Sequence, residues 1–95
     1  MNSIKGKFAL VTGGTQGLGA AIAKNFAENG AEGIITIGRK EEKGKEVAKK
    51  IQDETGCKVI FVKTDLPNVQ ECRNAVSIAK KNFGKLDILV NAAGI

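Results

Sequence analysis

The chain has no histidine, tryptophan or tyrosine, only two cysteines, a single proline and no long hydrophobic run. Each shortage removes a class of function. With no histidine and no CxxC pair, Cys57 and Cys72 form no metal-ligand or redox pattern, and both are read as small buried apolar side chains. With no tyrosine or tryptophan, the basic residues have few aromatic platforms beside them for stacking bases, which argues against nucleic acid as a partner. No segment approaches the roughly 20 apolar residues of a membrane span, and the stretch Met1 to Lys7 lacks the apolar centre of a secretory signal. No membrane partner is therefore expected, and a cytoplasmic location is the default expectation.

What is present suits one small α/β domain. The 95 residues are 42% apolar with four aromatics, all Phe, which favours an aliphatic core. A chain of this size buries roughly 60–65% of the surface it exposes when unfolded. The net charge of +5 is carried largely by Lys43, Lys45, Lys49, Lys50, Lys80 and Lys81, interleaved in part with Glu41, Glu42, Glu46 and Asp53 as on solvated helix faces.

Four short, continuous apolar runs, Phe8–Val11, Ile34–Ile37, Val59–Val62 and Leu86–Val90, read as strands buried on both faces. Between them lie three helical patterns, marked by Ile22, Phe26 and Ala27, then Val47, Ala48 and Ile51, then Val69, Cys72, Val76, Ala79 and Phe83. Gly30, Gly56 and Gly84 stand where the helices should stop, and Asn68, after Pro67, is the expected cap of the third. The order β-α-β-α-β-α-β predicts a doubly wound, Rossmann-type parallel sheet with strand order 3-2-1-4, spanning residues 1–95 and ending after its fourth strand. That order brings Thr12-Gly13 and Asn91-Ala92-Ala93-Gly94 to the two sides of one crevice.

The segment Thr12-Gly13-Gly14-Thr15-Gln16-Gly17-Leu18-Gly19 follows the first strand and opens the first helix. Glycines there allow a sharp turn and let a pyrophosphate approach backbone N–H groups at the positive end of a helix dipole. A triphosphate-binding loop would need Lys and then Ser or Thr just after the last glycine, where Ala20-Ala21 stand instead.

These residues resemble the N-terminal half of the short-chain dehydrogenase/reductase family. Thr12 to Gly19 fits the family's TGxxxGxG, Gly38-Arg39 closes the second strand, and Asp65-Leu66 follows the third. Leu86 to Gly94 is similar to LDxLVNNAG, with Ala92 where many members carry Asn. The resemblance implies a dinucleotide cofactor and a carbonyl or alcohol substrate. Thr15, Gln16 and the Leu18 N–H would face the pyrophosphate, with the Leu18 side chain turned into the core. Thr12 would hydrogen-bond toward Asn91, or stand as an ordinary strand-end residue. Asp65 and Leu66 would lie beside the adenine, unless Asp65 only begins the third helix. The Asn91-Ala92-Ala93-Gly94 backbone would pass under the ribose.

Cofactor choice turns on the end of the second strand. An acidic residue there would hold a ribose 2′-hydroxyl, whereas Arg accepts a 2′-phosphate. Gly38, Arg39 and Lys40 occupy the place, with acids delayed to Glu41 and Glu42. NADP is expected over NAD; the alternative is that Arg39 and Lys40 only begin a charged helix.

The family's catalytic Ser and Tyr-x-x-x-Lys match no position, because the chain contains no tyrosine. No catalytic residue is assigned. Two readings follow: the cofactor-binding portion of an NADP-dependent oxidoreductase, or a non-catalytic nucleotide-binding or interaction module. The first is favoured, because the run Leu86–Val90 would otherwise be an apolar sheet edge guarded only by Asp87, open to self-association or to a partner supplying the missing half.

Overall fold

The computed structural model describes residues 3–13, 17–64 and 69–92, of which residues 69–72 by their backbone alone. Its elements are β1 (Phe8–Thr12), α1 (Gly17–Glu28), β2 (Gly33–Gly38), α2 (Glu41–Thr55), β3 (Lys58–Lys63), α3 (Val69–Phe83) and β4 (Ile88–Asn91). All four strands are parallel, in the order β3-β2-β1-β4. Both the element order and the strand order expected from the sequence hold.

Strand alternation divides the core between two faces of the sheet. Val11, Ile34 and Val59 pack with Ala23 and Ala27 of α1 and with Ala48 and Ile51 of α2. Leu10, Ile35 and Ile37 point the other way, onto Ala75 and Ala79 of α3. The small alanines let helices approach the branched strand residues closely. Burying an Ile or Leu fully contributes about 1.5–3 kcal/mol, and Leu10, Ile34 and Ile35 are among the largest fully buried side chains. β1 and β2, in the middle of the sheet, are therefore its rigid axis.

The outer strands depart from expectation. β3 is only partly buried, and β4 alternates between half-buried and exposed positions rather than being buried on both faces. Leu89 is 61% exposed. A continuous apolar run reports that both faces can be covered; an edge strand has fewer elements over it. The fourth strand also begins at Ile88, two residues later than the run Leu86–Val90 suggested.

Gly30, Gly56 and Gly84 end their helices with φ of 93°, 79° and 83°, conformations disfavoured for residues with a Cβ. Gly56 N–H donates to the Gln52 carbonyl and Gly84 N–H to that of Lys80, both at 2.8 Å. Asn68 lies outside the described residues. Cys57 is buried, as expected of a small apolar residue; the Cys72 side chain lies outside the description. The charged helix faces are solvated, with Lys45 held to Glu41 at 3.1 Å and Lys49 to Asp53 at 2.7 Å, one turn apart.

Candidate functional site

The carboxyl ends of β1 and β4 are neighbours, pairing Thr12 with Asn91 in register. The Thr12 hydroxyl donates to Asn91 Oδ1 at 2.8 Å, with a longer 3.4 Å contact to the Val90 carbonyl. Thr12 is buried and Asn91 exposed. The bond therefore orients an exposed amide from a buried strand end, and it engages the Asn91 oxygen rather than its two Nδ2–H donors.

Past Thr12 the sheet continues for one residue, as Gly13 N–H donates to the Ile37 carbonyl at 2.9 Å. Gly13 then turns the chain out with φ 71°, and α1 begins at Gly17 with φ 58°. A Cβ on Gly17 would meet nothing within 4 Å, so this glycine is required by its left-handed backbone and leaves open space beside the helix start. Gly19 is buried, which lets α1 approach the sheet closely. The first turn of α1 contains no acidic residue, whereas that of α2 contains Glu41 and Glu42. The positive end of the α1 dipole meets no carboxylate from its own first turn, and that of α2 already has the protein's own carboxylates.

Leu18 corrects an expectation: its side chain is 52% exposed rather than turned into the core. The helix explains this. Residues 19, 23 and 27 form the buried stripe of α1, while Leu18 shares the partly buried row of Ile22 and Phe26 at its very start.

Arg39 and Lys40 lie, exposed, between β2 and α2. Lys40 occupies the N-cap position of α2 with an extended backbone and no side-chain capping bond. Ala92 is buried directly after β4. Thr15, Gln16, Asp65, Leu66, Ala93 and Gly94 lie outside the described residues.

Two residues acquire positions that the sequence did not reveal. Lys63, at the end of β3, pairs in register with Gly38, just before Arg39. Asp87 precedes β4 instead of guarding its edge: its Oδ2 accepts the Phe8 N–H at 2.9 Å and its own N–H donates to the Phe8 carbonyl at 2.8 Å. This reciprocal pair fixes β4 against β1 at the end of the sheet opposite Thr12 and Asn91. The Phe8 N–H, and then the charges of Lys85 and Lys7, hold the Asp87 carboxyl below its ordinary value. Among the described residues no three His, Cys, Asp or Glu converge as metal ligands, and no helix is long and apolar enough to cross a membrane.

A family model described as short chain dehydrogenase matches residues 7–95. The chain is 43% identical over 91 residues to the 3-hydroxyacyl-CoA dehydrogenase type-2 of Drosophila melanogaster, covering 96% of this chain and 34% of that protein. It is also 43% identical over 96 residues to the 3-oxoacyl-acyl-carrier-protein reductase of Chlamydia muridarum, covering 100% of this chain and 38% of the relative. Among solved structures, L-sorbose reductase from Gluconobacter frateurii, complexed with NADPH and L-sorbose, superposes with a TM-score of 0.90 at 35% identity, over 98% of this chain and 35% of that one. The chain thus spans little more than a third of the length of these proteins.

Proposed function

The chain belongs to the short-chain dehydrogenase family, and from that membership we propose that it is the cofactor-binding portion of an oxidoreductase moving hydride between NADP(H) and a carbonyl or alcohol carbon. The observation that carries this reading is the junction of β1 and α1. A left-handed glycine turn leads into a helix with no acid in its first turn, beside the Asn91 amide that Thr12 holds in place. Those donors suit a pyrophosphate and the adjoining ribose: backbone N–H groups and a helix dipole for the anion, amide N–H groups for hydroxyls.

When bound, the nicotinamide supplies or accepts the hydride. The residues of this chain bind and orient it; the acid–base tyrosine expected of the family is not among them. By the family resemblance, the Thr15 and Gln16 segment would serve the pyrophosphate, Asp65 and Leu66 the adenine, and the Ala93-Gly94 backbone the ribose. Arg39 selects NADP. Its guanidinium is exposed and, among the described residues, in no ion pair, while Glu41 is held by Lys45. A planar fork of donors suits a phosphate dianion, and the NADPH complex of the sorbose reductase supports the same choice.

The outer edge of β4 is where this portion joins the remainder of the enzyme or a second subunit, because, among the described residues, only β1 pairs with the strand, and Leu89 stands exposed on its face. The 95 residues alone should therefore self-associate, and a monodisperse monomer at high concentration in sedimentation would contradict this. The enzyme belongs in the cytoplasm, where a thiol such as the buried Cys57 stays unpaired.

Titration of an Arg39→Ala variant tests cofactor choice. NADP binding should weaken by about 1–3 kcal/mol, the scale of a hydrogen bond to a charged group, with NAD nearly unaffected. Equal losses for both dinucleotides would remove Arg39 from that role.

A further inference from the structure

We propose that Lys63 is a second cationic arm of the phosphate-selecting site, acting with Arg39 on the 2′-phosphate of NADP; the proposal rests on the NADP reading above. Lys63 is far from Arg39 in sequence and adjacent to it through the sheet. β3 pairs with β2 along its whole length, ending with Lys63 opposite Gly38, and the Thr64 N–H then donates to the Gly38 carbonyl at 2.9 Å. The residue immediately before Arg39 is thereby fixed to the residue carrying the Lys63 side chain.

Strand alternation gives the direction of that side chain. Val59 and Phe61 lie on the face covered by α1 and α2, so Lys63 lies on it too. The Phe61 ring packs directly against Gly44 in the first turn of α2. Lys63, exposed one pleat further along β3, is carried past Phe61 toward the N-terminal end of α2, which the Arg39-Lys40 turn precedes. Among the described residues neither Arg39 nor Lys63 is in an ion pair, whereas Lys24, Lys45, Lys49 and Lys85 each have a carboxylate partner. Of the nearby acids, Glu41 is turned back to Lys45 one turn along the helix.

The two cations are complementary in kind. Arg39 presents a planar fork from a turn; Lys63 presents a compact charge from a strand whose register holds it in place. A phosphomonoester dianion approaching from beyond the strand ends would be gripped from two elements, and a ribose 2′-hydroxyl would gain little from either charge.

The test is equilibrium binding of NADP and of NAD, followed by calorimetry, to the full chain and to its Lys63→Gln and Arg39→Ala variants, with circular dichroism as the check on folding. Lys63→Gln should weaken NADP binding by about 3- to 10-fold and change NAD binding by less than about twofold. If Arg39→Ala selectively weakens NADP while Lys63→Gln affects neither dinucleotide, or both equally, the proposal is overturned and the NADP reading stands. If neither variant discriminates, the NADP reading fails and takes this proposal with it. No binding of either dinucleotide by the parent chain would overturn both.

Discussion

The hydrogen bond between Thr12 and Asn91 joins fold to site, and its two ends should respond differently to removal. Thr12→Val keeps the side-chain shape in a position only 9% exposed, so packing is retained and one neutral hydrogen bond is lost. The freed Asn91 oxygen is on an exposed residue and is taken up by water. The cost should be about 0.5–1.5 kcal/mol, the net worth of such a bond. Asn91→Ala instead leaves a buried hydroxyl with only its longer 3.4 Å contact to Val90, so the desolvation penalty of about 1–3 kcal/mol applies. The double variant should cost less than the sum, with a coupling of about 1 kcal/mol, because the second change removes nothing the first left intact. Urea denaturation of the four proteins, followed by circular dichroism, measures the cycle. Additive costs, or a Thr12→Val loss larger than that of Asn91→Ala, would refute the reasoning.

Other outcomes follow from the same contacts. Gly44→Ala places a Cβ inside the space of the Phe61 ring; overpacking of about 1–3 kcal/mol should exceed the roughly 1 kcal/mol helix-propensity gain, giving a lower urea midpoint that Phe61→Leu partly restores. The depressed Asp87 carboxyl contributes stability that is fully present above its ordinary value of 3.8 and is lost as pH falls below that through the lower folded value. Acid titration of Asp87→Asn should therefore show a flatter loss of stability below pH 3.8 than the parent; identical curves would contradict the clasp with Phe8. Burial, with the nearby Glu32 charge, raises the Cys57 thiol, so peptide mapping after alkylation near pH 8 should find Cys57 protected in the native chain and modified after unfolding; rapid native modification would contradict its burial.

Much of the fold was legible because its signals are local. A strand-glycine-helix junction, four branched apolar runs and glycines after each helix are each contained in a few residues, and the doubly wound order follows from them. The edge positions were not legible in the same way. The run through Leu86 resembles a central strand, yet Asp87 turns its carboxylate onto Phe8 and the strand starts only at Ile88. Leu18 looked like a core leucine because its side chain is apolar, whereas the buried stripe of α1 runs through Gly19, Ala23 and Ala27 and leaves Leu18 outside it. Lys63 was silent for a further reason: its nearness to Arg39 exists only through the register of β2 with β3. Pairings between distant segments leave no mark in either segment alone.

The most direct measurement is a thermal-shift titration of the full chain with NADP, with NAD and with neither. At 100 times its dissociation constant a ligand adds about 2.7 kcal/mol, and each kcal/mol moves the midpoint of a domain this size by roughly 4–8 °C. NADP should raise the midpoint by more than NAD does at equal concentration. No shift with either dinucleotide would contradict the claim that the β1–α1 junction and the Thr12–Asn91 pair form a nucleotide site.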